Sequence, residues 1–398
     1  MTNFKATGRI STTLDDVPFS VFESIVTALK SANASEIAGL HQGKTTYRPC
    51  PNVKSWPTGA FELEHNVHAP PQGIRSLKEA IQSAHAKRGY GNFSMDQLML
   101  CSGATHGLKI AADSVLNPGD EALILSPQWL FARGVLKSCN AIVREAPLFL
   151  ALCENPNLDL RAYLENAVSA KTRLIYFNTP NNPTGYSMTR SQLQELVNFC
   201  HDKGIWLVAD NAYEFYDYSE QGFIDARDLV GGDEITFSIY SFSKSYIMPG
   251  YRVGYLISPH SRALDMQKRG LHTVYSVATP SQYGAWQALK TSTEQLQFQR
   301  DETLARAKIA QECLTVPHLG FSGGFYLFLD LSALGPAGPA PFYGELLENG
   351  ISLAPGQAFG TGMESYARLC FTAVERELLR KSIQTINEIF STRVAIAA

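Results

Sequence analysis

A lysine, Lys244, sits in the stretch SFSKSYIMPGYRVGY, residues 241–255, with Ser241 and Ser243 just ahead of it and Arg252 behind it. The β-rich run ITFSIYSF leads into this turn and the apolar run VGYLI follows it, so the spacing predicts a lysine at the mouth of a strand. An amine in that place can form a Schiff base with a carbonyl. Neighbouring hydroxyls and a guanidinium can bind a phosphate. The group of residues therefore suits a phosphorylated carbonyl compound. Taken alone, a Ser-Lys-Ser turn reads better as a solvated surface turn, and the rest of the chain has to decide.

Other residues able to do chemistry also stand where apolar runs end. Asp210 closes IWLVA, either as a cap or as an anion held against a cationic ring nitrogen, and Tyr213 follows it closely. Asn182 lies in the proline-flanked turn NNPTG. Gly103 separates the short run MLCSG from the helical pattern ATHGLKIAADSVL. A strand, tight turn and helix in that order aim backbone N–H groups outward from Gly103, Ala104 and Thr105, a natural phosphate site. A purely structural turn explains that segment equally well. Trp129 follows the strand-like EALILSP and on its own reads as a core residue.

The elements that must position these residues alternate between strand and helix from about residue 97 to 260. That alternation predicts an α/β fold with a mainly parallel central sheet flanked by helices. Ligands of such sheets bind outside the carboxyl ends of the strands. Gly103, Trp129, Asn182, Asp210 and Lys244 all fall at predicted strand ends, and their convergence on one edge is the pattern of a site. Upstream, residues 16–32 predict an amphipathic helix, LHQGKTTYRPCPN a loop, and the segment after Gly73 another helix; residues 55–71 show no clean period. Past residue 265 the pattern becomes helices with short strands, FSGGFYLFLDL, ISLAPG and ARLCFTA. This is a smaller α+β unit, against which the N-terminal helix is expected to pack.

Composition narrows the function classes. Lys and Arg number 34 against 37 Asp and Glu, for a formal charge of −3, so no basic excess marks a nucleic-acid surface. The 7 cysteines are scattered without a Cys-x-x-Cys pair, which argues against a zinc site or disulfide framework and for a reducing, cytoplasmic setting. No apolar run has the length of a membrane span, and the first residues show no signal-peptide core. The expected partners are a small molecule and a second copy of the chain, with no nucleic acid, membrane or metal.

Seven motifs, SGATHGL, SPQW, NTPNNPTG, VADNAYEF, SFSKSYIMPGYRVGY, GGFYLFLD and YARLCF, occur in an order that resembles the class I/II aminotransferases, pyridoxal-phosphate enzymes of fold type I. The resemblance covers nearly the whole chain. It implies that Lys244 holds the cofactor as a Schiff base, an internal aldimine, and then moves the substrate proton. Asp210 would pair with the pyridinium nitrogen, Asn182 and Tyr213 with the ring oxygen, and Trp129 would stack on the ring. Ser241, Ser243, Arg252 and the Gly103–Ala104–Thr105 helix start would bind the phosphate. Arg368 would clamp the substrate carboxylate, with the Gly43 backbone nearby and Asn182 alongside. It further implies a large cofactor-binding domain over residues 46–288, a small C-terminal α+β domain over 289–398, and an N-terminal segment, 1–45, packing with the latter.

The resemblance also implies a homodimer with shared active sites, moving an amino group from an amino acid to a 2-oxo acid. His68 stands where the family usually has a tyrosine that reaches the neighbouring subunit's phosphate. The segment around Val274–Ser276 lacks the arginine that serves a dicarboxylate substrate. The alternative is another reaction on the same scaffold, a lyase, a cyclase or an amino-acid oxidase, since fold and cofactor do not fix the outcome.

Overall fold

The computed structural model describes residues 13, 14, 16, 17, 22–32, 34, 36–49 and 67–397. Of the expected 16–32 helix, 16 and 17 lie in a turn, 18–21 lie outside these residues, and the helix runs over Phe22–Ser31; the end of the LHQGKTTYRPCPN loop and most of 55–71 also lie outside them. A two-residue strand, β1 (Ala38–Gly39), precedes the main sheet. That sheet contains β2 (Leu98–Cys101), β3 (Glu121–Leu125), β4 (Ile142–Ala146), β5 (Thr172–Asn178), β6 (Trp206–Asp210), β7 (Thr236–Ser241) and β8 (Gly254–Ile257). Their spatial order is β2-β8-β7-β6-β5-β3-β4.

The burial of each strand follows from its place. Every residue of β3 and β7 is buried, so both read as continuous runs rather than alternating ones. The edge strand β4, IVREA, instead alternates in exposure and carries Arg144 and Glu145. Charges on an edge discourage pairing with another chain. Within the sheet the pleat sorts side chains by parity. Leu123, Ile175 and Leu207 enter one core with the helices Leu160–Ala167 and Arg190–Lys203. Ala122, Ile124, Leu174, Tyr176 and Val208 enter the other with the helix Ala104–Val115. The helix Arg190–Lys203 has a reciprocal cap, Thr189 with Gln192, and stops at Gly204 in the left-handed region, φ 64°.

Two features refine the expected architecture. The first is β8, the one antiparallel strand of the expected mainly parallel sheet, running against both β7 and β2. Twelve residues, 242–253, join β7 to β8; they are the bare minimum for a crossover, and they are taken up by the Lys244 turn and the short helix Pro249–Tyr251 instead of a crossover helix. The consequence is functional. The amino end of β8, with Arg252 just before it, lies at the same edge as the carboxyl ends of the other strands. The second is ISLAPG, expected as one strand. It divides into β10 (Ile351–Ser352) and β11 (Ala354–Pro355), which belong to different sheets. The helix Leu148–Glu154, LFLALCE, was not expected, because an unbroken apolar run has no period to read.

The smaller unit joins the two ends of the chain. β10 pairs in parallel with β1, while β9 (Tyr326–Asp330), β12 (Tyr366–Cys370) and β11 form an antiparallel sheet. The helix Phe22–Ser31 packs on the helix Ala340–Glu348 and on β10. No helix among the described residues is long and apolar enough to cross a membrane.

One glycine couples the sheet to the helix that starts beside it. A Cβ at Gly254 would meet the Tyr240 carbonyl oxygen at 2.6 Å and the Ala104 nitrogen at 3.0 Å, whereas one at Gly250 meets nothing within 4 Å. Both obstacles at Gly254 are backbone and neither can swing away. Gly254→Ala is expected to destabilise the protein by about 1–3 kcal/mol, the usual cost of overpacking. Gly250→Ala is expected to change stability by less than about 0.5 kcal/mol. Denaturant unfolding of the two variants beside the parent checks this, and equal midpoints would refute it.

Candidate active site

A cavity of about 710 Å³ opens at the carboxyl-end edge of the main sheet. Ala104, Thr105, Trp129, Asn182, Asp210, Tyr213, Ser241, Ser243, Lys244 and Arg252 line it, joined by Gly43 and Arg368 from the smaller unit's side. Thus all the expected site residues reach it except Gly103 and His68. Gly103 stands immediately behind the wall. His68 is exposed and lies edge-on to the Tyr275 ring, 5.2 Å between centroids, outside this chain's own cavity.

Lys244 belongs to one helical turn, Phe242–Ser245, set directly on the end of β7. Ser241 caps that turn by accepting from the Ser243 N–H at 3.1 Å. The lysine is half-buried and lines the cavity, and its Nζ donates to the Gly43 carbonyl at 2.7 Å. Burial pushes its pKa down from 10.5 to about 8; Arg368 and Arg252 push the same way, while Cys370 and Asp210 oppose them. Gly43, expected near a substrate carboxylate, lines the same cavity as Arg368, and its carbonyl holds the lysine amine.

Asp210 ends β6 in register with Asn178 at the end of β5. Its Oδ2 accepts from the Tyr176 hydroxyl at 2.9 Å and its Oδ1 from the Ala212 N–H at 3.1 Å. It makes no ion pair among the described residues. Burial raises its pKa to about 6, against the pull of those two hydrogen bonds and of Lys244. A buried carboxylate with donors but no cation is well matched to a cationic partner entering the cavity.

The third anchor is Arg368, which is 2% exposed. Its Nη1 donates to Asn182 Oδ1 at 2.8 Å and its Nη2 to the His41 carbonyl at 2.6 Å. Its Nε has no partner, and the guanidinium lies 4.3 Å from the centre of the Tyr326 ring. Five N–H groups with two used leave a buried cation with donors to spare, which fits a carboxylate.

The remaining corner is built for an anion. Gly103 has φ 78° and no side chain caps the 12-residue helix that begins after it. A Cβ at Gly103 would fall 2.4 Å from Arg252 Nη2, so glycine both allows the backbone turn and lets the guanidinium close over the helix start. Arg252 is itself left-handed, φ 53°, with Nη1 tied to the Pro249 carbonyl at 3.0 Å. Uncapped N–H groups, two serines and an arginine are a phosphate cradle by their donor chemistry.

The sequence reading missed four residues. Tyr326 lines the cavity and its hydroxyl is 2.5 Å from that of Tyr213. Asn178 also lines it, and its Oδ1 accepts from the Asn182 N–H at 2.7 Å, holding the NNPTG turn in place. Tyr176 supports Asp210 from behind. His41, fully buried, supports Arg368 through its carbonyl, and burial followed by the Arg368 and Lys44 charges pushes its imidazole pKa down to about 4. Asn178 carried a signal, being the polar end of RLIYFN. The others are ordinary strand or loop residues in the sequence.

Comparison with known proteins agrees with this geometry. The family model for aminotransferases of class I and II matches residues 37–386. A probable aspartate/prephenate aminotransferase of Aquifex aeolicus is 29% identical over 373 residues, covering 90% of this chain and 93% of that one. An arginine–pyruvate transaminase of Pseudomonas aeruginosa is 27% identical, covering 77% and 78%. The solved structure of Thermotoga maritima aspartate aminotransferase superposes with a TM-score of 0.84 at 26% identity, over 96% of this chain and 100% of that one. The chain belongs to the class I and II aminotransferases, a family that depends on pyridoxal phosphate, and is itself an aminotransferase.

Proposed function

We propose that this enzyme binds pyridoxal 5'-phosphate on Lys244 and moves an amino group from an amino acid to a 2-oxo acid. The observation that carries the reading is the convergence of one depressed lysine amine, one cation-free buried carboxylate and one buried arginine on a single cavity. The cofactor fits the residues present: a phosphate cradle at Gly103–Thr105, Ser241, Ser243 and Arg252, and an anion, Asp210, for the ring nitrogen. Asn182 and Tyr213 supply polar atoms for the ring oxygen, and Trp129 an aromatic face. When bound, pyridoxal phosphate supplies an electron sink that stabilises negative charge at the substrate α-carbon.

The chain's own groups do the rest. Asp210 holds a proton on the ring nitrogen by its negative charge. Arg368 fixes the substrate carboxylate and so orients the α-carbon toward Lys244. The Lys244 amine takes the α-proton and returns it one position away, general acid–base work suited to an amine titrating near neutrality. Withdrawal of Lys244 from water on one side and of Arg368 on the other keeps their charges effective.

The reading includes a homodimer in the cytoplasm, with His68 and Tyr275 turned toward the neighbouring subunit. Their exposed, mutually packed rings support it. It also includes the division into a large unit, 46–288, and a smaller one of 1–45 with 289–398. The β1–β10 pairing supports joining the two chain ends.

The direct test follows the amino group. Cofactor-loaded enzyme given an amino acid should lose its visible absorbance, and a 2-oxo acid should restore it. Ammonia release or oxygen uptake with no acceptor-dependent return would favour a lyase or oxidase instead.

Capture of pyridoxal phosphate by the empty enzyme requires a neutral amine. With a pKa of about 8, about one Lys244 in ten is neutral at pH 7, against fewer than about one in a thousand for an ordinary lysine. The capture rate should therefore rise about tenfold per pH unit below 8 and level off above it. A rate still climbing at pH 10 would contradict the assignment. Arg368→Lys keeps the charge but loses the planar fork. It should raise KM about a hundredfold, about 2.7 kcal/mol, with visible absorbance intact. Loss of the absorbance in that variant would place Arg368 on the cofactor rather than the substrate.

A further inference from the structure

Resting on the reading above, we propose that Tyr176 is a positioning residue for the cofactor: by donating its hydroxyl hydrogen to Asp210 it keeps that buried carboxylate ionised, so that the proton between Asp210 and the ring nitrogen stays on the nitrogen. The bond runs to Asp210 Oδ2 at 2.9 Å. Its geometry is set by the sheet. Tyr176 on β5 pairs with Val208 on β6, and Asp210 stands two residues further along the same face. A tyrosine is long enough to reach that diagonal neighbour. Both partners belong to adjacent strands of one chain, so the bond needs no second subunit.

The surroundings of Tyr176 leave its hydroxyl one role. The residue is 0% exposed, and its ring lies in the apolar core with Ala122, Ile124, Leu174 and Val208. Among the described residues Asp210 is the hydroxyl's one hydrogen-bond partner. Core packing accounts for the ring but not for the oxygen, which is costly to bury unless it is bonded. Burial and the Asp210 charge push the Tyr176 pKa far up, so the hydroxyl keeps its hydrogen and has it to donate. Asp210 in turn needs a donor. Withdrawal from water favours its neutral form and raises its pKa to about 6; the Tyr176 hydrogen bond is the largest influence against that, ahead of the Ala212 N–H and the Lys244 charge.

The consequence follows from how a carboxyl group and a pyridine nitrogen share one proton. Two arrangements hold the same atoms and the same net charge. In one a carboxylate faces a protonated, cationic ring; in the other a neutral carboxyl donates to a neutral ring. A donor on Oδ2 bonds more strongly to the anion than to the neutral acid, so it favours the first. The first is also the one that makes the ring an effective electron sink. Without the Tyr176 hydroxyl the carboxylate is more basic, and the proton moves across to it.

Tyr176→Phe keeps the aromatic ring and removes the oxygen, and Tyr176→Leu is a second hydroxyl-free side chain should the first fail to fold. Magnetic resonance of enzyme loaded with pyridoxal phosphate, isotope-labelled at its ring nitrogen, reads the proton directly. The parent should show the resonance of a protonated ring nitrogen, and either variant should move it toward that of unprotonated pyridine. Calorimetric titration of the empty proteins is the second measurement. Loss of the hydroxyl should weaken pyridoxal phosphate about tenfold, while an analogue with C–H in place of the ring nitrogen should change by less than about twofold. A nitrogen resonance unmoved in the variants, or equal weakening of both ligands, assigns Tyr176 to packing alone and overturns the proposal while the aminotransferase reading stands. A parent that takes up no pyridoxal phosphate overturns that reading, and the proposal falls with it.

Discussion

The structure turns on withdrawing one amine from water without giving it a permanent counter-ion. Lys244 has a carbonyl partner, Gly43, and only indirect help from Asp210; two arginines share its cavity. That balance favours the neutral form, the form a nucleophilic lysine needs. The empty enzyme carries the cost. Folded Lys244 releases its proton at a lower pH than unfolded Lys244, so the penalty is full below about pH 8 and shrinks as pH rises toward 10.5. A ligand that consumes the amine removes the penalty and stabilises the fold by mass action.

The topology exists to hold that amine opposite the right charges. β5, β6 and β7 end side by side, so Asn178, Asp210 and Ser241 form one row at the sheet edge. The reversed strand β8 adds Arg252 to the same edge, and Gly254 lets the Ala104 helix start come close enough to share an anion with it. Arg368 arrives from the other unit on β12, held by Asn182 of the large unit and His41 of the N-terminal segment. The substrate anchor therefore ties three stretches of chain together. Removing it would disturb more than substrate binding, which is why the conservative lysine variant is the informative one.

Much of this was legible in the sequence, and for a physical reason. Buried parallel strands are written as unbroken apolar runs, so polar residues at or just past the end of a run stand out: Asp210 after IWLVA, Lys244 after ITFSIYSF, and Asn182 in the turn that follows RLIYFN, although Asn178, which ends that run, was passed over. The antiparallel sense of β8 was not legible, since a 12-residue connection still allows a crossover and apolar runs look the same in either direction. Tyr176, Tyr326 and His41 were not legible. Their roles arise from long-range contacts, such as Tyr326 meeting Tyr213 across the two units, and no local pattern encodes those. Arg368 and Trp129 were found by resemblance rather than by spacing, since an arginine within a strand and a tryptophan after one have ordinary structural uses.

The central claim is that Lys244, among all the lysines, is the attachment point. Borohydride reduction of the cofactor-loaded protein followed by peptide mass mapping tests it most directly. The account predicts a single phosphopyridoxyl label on the peptide carrying Lys244, absent from Lys244→Ala. A label on another lysine in the parent, or a label that survives in the variant, would contradict it.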